Sequence, residues 1–93
     1  MKLRATITEV FIENHTLRAR LSVGGRNAYA EVPVDHKLFA RFIGASGILN
    51  VKDTAQLIGA EMLADIKEVA IKGGVSFLIA TDWYRCPPNS QSV

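Results

Sequence analysis

Sulfur and imidazole are scarce in this chain: one cysteine, Cys86, and two histidines, His15 and His36, stand in 93 residues. A single cysteine excludes an intrachain disulfide and any zinc site built on several thiolates, and it suits a reducing compartment, so a cytoplasmic setting is expected. Neither histidine has a carboxylate or cysteine at chelating spacing. Cys86 precedes Pro87 and Pro88 near the end of the chain, where an inert thiol is expected. No metal, no cofactor and no catalytic residue is therefore expected, and the protein is not expected to be an enzyme.

Long apolar runs are missing too. None approaches the ~18 residues of a membrane-spanning helix, and the N-terminal segment, with Lys2 and Arg4, reaches Glu9 before a signal-type apolar core builds up. A membrane partner is not expected. Nor is there a large excess of one charge: 11 cations against 9 anions leave a formal +2. Gly73-Gly74 is followed by no Lys-Ser or Lys-Thr, which excludes a nucleotide loop of the P-loop kind.

What the chain does have is apolar residues, 48%, beside 22% charged ones. That is the balance of a folded domain rather than a disordered one. One globular domain over 1–84 is expected, followed by a flexible tail, 85–93, of sequence RCPPNSQSV. The charge is uneven along the chain: residues 1–41 carry seven cations and four anions, the remainder four and five.

The basic half also carries β patterning. With a turn at Asn14-His15, Ile12 faces Leu17, Val10 faces Ala19 and Thr8 faces Leu21, while Phe11 meets Arg18 and Glu9 meets Arg20 on the other side. A second turn at Gly24-Gly25 sets Leu17 against Val32, Ala19 against Ala30 and Leu21 against Ala28, with Arg18 opposite Glu31 and Arg20 opposite Tyr29. Opposite charges thus meet twice, and a slip of one residue would turn each apolar row outward. Strand one has Leu3, Ala5, Ile7 and Phe11 on one side and further apolar residues on the other, the usual mark of a strand covered on both faces.

Asp53 to Lys72 reads as a long helix. Ala55, Ile58, Gly59, Met62, Leu63, Ile66, Val69 and Ala70 form its stripe, and Glu61, Asp65, Glu68 and Lys72 its solvated edge, with Asp53 and Gln56 spaced as a capping box and Gly73-Gly74 as a stop. A shorter helix, His36 to Ile43, is expected after an Asp35 cap, ending at Gly44. Val75 to Ala80 reads as a strand beside the free edge of strand one, and Trp83 and Tyr84 as caps over the end of the core. The fold expected is α+β: an antiparallel sheet in the order 3-2-1-4 with a short and a long helix on one face. The runner-up, which follows if residues 65–71 are a strand, is a small five-stranded barrel of the OB type.

Two surfaces carry functional content. Leu57, Ala60, Ala64 and Ile71 form a second apolar line on the long helix, and Leu3, Ile7 and Phe11 crowd the opposite sheet face. Surplus apolar surface of this kind calls for a partner, so a non-enzymatic binding module acting through protein contacts, as a homodimer, is the first expectation. The second is weak nucleic-acid binding on the sheet face where Arg18, Arg20 and Tyr29 combine cations with an aromatic platform. Glu9 and Glu31 already oppose those arginines, and Arg20 over Tyr29 is expected to form a cation–π contact.

Overall fold

The computed structural model describes residues 2–48 and 50–86. Five strands close into a barrel: β1 (Lys2–Glu13), β2 (Thr16–Val23), β3 (Arg26–Pro33), β4 (Glu61–Ala70) and β5 (Ser76–Arg85), in the order β1-β2-β3-β5-β4. Between β3 and β4 lie one α-helix, α1 (Lys37–Ser46), and one turn of 3-10 helix, Thr54–Leu57. Three strands, a helix and a closing hairpin in this order make the OB-type arrangement. The α+β sheet with two helices on one face is therefore replaced by a barrel with one α-helix. No helix among the described residues is long and apolar enough to cross a membrane.

The first two hairpins follow from their turn residues. Asn14 and His15 adopt φ of 52° and 58°, and Gly24 and Gly25 of 57° and 84°, the left-handed pair that a two-residue hairpin turn requires. The register is the one the charges require, with Phe11–Arg18, Glu9–Arg20, Arg18–Glu31 and Arg20–Tyr29 as cross-strand partners. One pairing differs: a bulge at Thr8 sets Ile7, not Thr8, opposite Leu21. The bulge also moves the inward row from Ala5 and Ile7 to Val10. Strand one therefore has one buried row with a step in it, not two buried faces.

Residues 61–70 form β4 and not the second half of a helix. The Asp53–Gln56 capping box does form, but it closes a single turn. Ile58 is extended and Gly59 takes φ of 91°, and then Gly59 donates to the Ile7 carbonyl (2.7 Å) while the Ile7 N–H donates to Ala60 (2.9 Å). The chain is thereby captured by β1 at its bulge. From there β4 runs beside β1, with Ala5 opposite Met62 and Leu3 opposite Ala64. So the free edge of β1 is taken by β4, and β5 closes the barrel between β4 and β3.

Gly73 and Gly74, at φ of 87° and 76°, turn β4 into β5 instead of stopping a helix. The pairing across this turn sets the Glu68 carboxylate opposite the buried Leu78. It is tolerated because Glu68 is exposed, accepts from the Ser76 hydroxyl and stands 3.7 Å from Arg26. Those contacts, the hydroxyl first and the guanidinium second, hold the Glu68 carboxyl below its usual range.

Helix α1 packs mainly against β5, with lesser contact to β3 and β4. Its cap is His36 rather than Asp35, with Nδ1 accepting from the Leu38 N–H at 3.1 Å, and it runs through Gly44 to stop at Gly47, φ 76°. Phe42 is fully buried and meets the Trp83 ring edge-on, centroids 5.2 Å apart. That burial stabilises by about 2–3 kcal/mol. Of the stretch read as a tail, Arg85 ends β5 and Cys86 is partly buried, while 87–93 lie outside the described residues.

Candidate nucleic-acid interface

The outer side of β1, β2 and β3 presents two rows. Phe11, Arg18 and Glu31 make one, and Glu9, Arg20 and Tyr29 the other, because the register places each trio directly across three adjacent strands. Arg18 Nε lies 3.4 Å from Glu31 Oε2, and Arg20 Nη2 lies 3.1 Å from Glu9 Oε1. All four charged side chains are substantially exposed, so each pair contributes roughly 0–1 kcal/mol. The two aromatic rings are exposed as well, Phe11 at 44% and Tyr29 at 46%. The cation–π contact expected between Arg20 and Tyr29 is absent among the described residues; the two such contacts they contain both involve Tyr84.

These side chains border a cleft of about 680 Å³ that also reaches Ala19, Ala30, Leu38, Ala80 and Trp83. Its depth has a topological cause. β3 and β5 are joined in parallel at only two positions, Ala28–Leu78 and Tyr29–Ile79, and β5 then bulges at Thr81. Past Tyr29 the strands share no further pairing, and the small side chains Ala19, Ala30 and Ala80 line the cleft together with Trp83. Trp83 is 2% exposed and its Nε1–H has no hydrogen-bond acceptor.

A second polar cluster lies on β4, β5 and α1. The Tyr84 hydroxyl donates to Asp65 Oδ2 at 2.7 Å and approaches Asp82 Oδ2 at 3.3 Å. Lys2 Nζ stands 4.2 Å above the Tyr84 ring and the Arg41 guanidinium 5.3 Å from it, with Arg41 Nη2 also 3.1 Å from Asp82. The hydrogen bond to Asp65 is the chief reason the Tyr84 phenol is pushed up to about 12, with desolvation and the two negative charges behind it. Every member of this cluster is engaged by another.

The structure brings Arg18, Arg20 and Tyr29 together and adds Phe11 to them. It does not bring together the seven residues read as a partner surface. Ile7, Leu57 and Ala64 are fully buried, Leu3 and Ala60 are half-buried, and Ile71 is exposed at the β4–β5 turn, away from Phe11. Trp83 and Thr81 were not legible as site residues, since no sequence signal announces an indole N–H without an acceptor or a bulge in β5. Among the described residues no group of three or more His, Cys, Asp and Glu side chains is placed to hold a metal ion. Against protein-family models, curated proteins and solved structures the chain gives no significant match.

Proposed function

We propose that the protein is a non-enzymatic binding module for single-stranded nucleic acid, using the outer face of β1, β2 and β3. The observation that carries this reading is the interleaving of two exposed rings, Phe11 and Tyr29, with two arginines, Arg18 and Arg20, along one cleft wall. A flat ring stacks on any base, worth about 1–3 kcal/mol per base, and a guanidinium beside it reaches the phosphates. Strands two and three of OB-type barrels serve oligonucleotides elsewhere, which is an analogy of fold and adds only a little weight. The affinity is weak because Glu9 and Glu31 already neutralise both arginines. With at most two phosphates neutralised, the logarithm of affinity falls with the logarithm of salt at a slope no steeper than about −1.4.

Anisotropy of a labelled single-stranded oligonucleotide, titrated at low and at physiological salt, tests this directly. Binding at low salt that disappears when Arg18, Arg20 and Tyr29 are all replaced by alanine is expected. No binding at low salt, or binding that the triple variant retains, would mean the face is not a nucleic-acid site.

A protein partner, a second copy included, is the second reading. Its support is Ile71 and Val75, 51% and 57% exposed and tied across the β4–β5 turn by a 2.7 Å backbone hydrogen bond from Ile71 to Val75. Light scattering at high concentration decides for self-association if the mass doubles and halves again in an Ile71→Ser/Val75→Ser variant.

A further inference from the structure

We infer that the floor of the cleft is a subsite for one keto-pyrimidine base, thymine or uracil, whose O4 accepts a hydrogen bond from the Trp83 Nε1–H. The inference rests on the nucleic-acid reading above and names the base that the site selects.

The starting point is the unmatched donor. An indole offers one N–H and accepts nothing, and a buried donor without an acceptor carries its full desolvation cost. Trp83 is such a donor, 2% exposed, on the wall of the cleft that holds Phe11, Arg18, Arg20 and Tyr29 on its rim. Beside Trp83 the cleft is lined by apolar Ala19, Ala30, Leu38, Ile79 and Ala80, and by Thr81, whose hydroxyl already donates to the Asp65 carbonyl at 3.4 Å. A fitting ligand therefore presents one acceptor flanked by apolar surface, and no donor, at its inserted edge.

Among the pyrimidines, base chemistry meets this description in one way. A base hung on a strand inserts the edge remote from its sugar, which for a pyrimidine is the C4–C5 edge. In thymine that edge is the O4 acceptor beside the C5-methyl group, whereas in cytosine it is the N4 amino donor, which would face the indole donor. Adenine likewise offers its N6 amino donor. The methyl group of thymine, or the bare C5 of uracil, lies against the alanines. Reaching Nε1 requires a side-chain adjustment at the floor, and the barrel is least tied there, because β3 and β5 share no pairing beyond Tyr29–Ile79.

The chain has a single tryptophan, so its indole N–H gives one unambiguous proton–nitrogen signal. Titrating the full chain at low salt with oligo-dT and with oligo-dC of equal length is the test, by anisotropy and by that signal together. The expected result is dT binding about 5-fold tighter than dC, the factor of one hydrogen bond, and a downfield shift of the indole proton with dT only. In Trp83→Phe, provided it keeps its circular dichroism spectrum, the preference falls to unity while binding persists. If both oligomers bind equally and the indole signal does not move, the subsite is wrong and the face still binds nucleic acid. If neither oligomer binds, the nucleic-acid reading fails and the subsite fails with it. An indole signal that moves with an extended peptide and with neither oligomer would overturn both.

Discussion

Two polar faces of this barrel use similar residues to opposite effect. On β4, β5 and α1, Tyr84, Asp65, Asp82, Arg41 and Lys2 satisfy one another, and the hydrogen bond to Asp65 pushes the phenol up to about 12. On β1, β2 and β3, two rings and two arginines share a wall, but the arginines pair with exposed carboxylates and, among the described residues, no cation stands over either ring. The same inventory of aromatics and charges thus gives a closed network in one place and an open platform in the other. Residues whose contacts are completed within the chain have little left to offer a ligand, and this difference, more than net charge, singles out the face on β1, β2 and β3.

The largest expected effect comes from placing a charge under the closed face, compared with one on the open face. Ala64, fully buried on β4 and paired with Leu3 and Trp83, cannot accept a carboxylate without leaving it unpaired in the core. Ala64→Glu is expected to cost more than about 3 kcal/mol and to abolish the thermal transition or lower it by over about 10 °C. Phe11→Glu, on the open face, is expected to melt within a few degrees of the parent. Melting followed by circular dichroism compares the two, and similar behaviour would mean the faces are not distinct in burial.

Removing the platform alone comes next. Tyr29→Ala is expected to weaken oligonucleotide binding about 10-fold with an unchanged salt slope, because a stacked ring carries no charge. A slope that flattens in this variant would show the ring acting through its neighbours. In the closed network, the raised Tyr84 phenol sets a pH dependence of known sign. Its stabilising contribution is fully present below the ordinary tyrosine value near 10 and is lost as pH rises towards 12. Tyr84→Phe is expected to remove the late phenol from an alkaline absorbance titration, to flatten the loss of stability over that window, and to leave oligonucleotide affinity alone.

The smallest effect belongs to the carboxylates that damp the open face. Glu9→Gln with Glu31→Gln frees both arginines and is expected to raise affinity about 2- to 5-fold with a steeper salt slope. The melting temperature moves by only a few degrees, since exposed pairs contribute little. Unchanged affinity in this variant would remove the arginines from the interface.

The β1–β2–β3 meander was legible because two kinds of signal agreed: turn residues that tolerate positive φ, and opposite charges at matching distances from those turns. The platform residues Arg18, Arg20 and Tyr29 came with it. What misled was the bulge at Thr8. It splits one buried row into Ala5, Ile7 and then Val10, which in sequence looks like a strand with two apolar faces and a surplus in need of a partner. The second error has a similar origin. In β4 the inward Met62, Ala64 and Ile66 alternate with half-buried Leu63 and Val69, and a strand apolar on both parities is hard to tell from a helical stripe when a true helix start, Asp53–Gln56, stands just before it. What decided was non-local: Gly59 and Ala60 docking on Ile7 across more than half the chain.

The most direct test of the open platform is a chemical-shift map of the backbone amides during titration with single-stranded oligonucleotide at low salt. Concentrated perturbation at Phe11, Arg18, Arg20, Tyr29 and Thr81, with Asp65, Asp82, Tyr84 and Arg41 still, is the expected result. Perturbation centred on the Tyr84 network, or no perturbation anywhere, would contradict it.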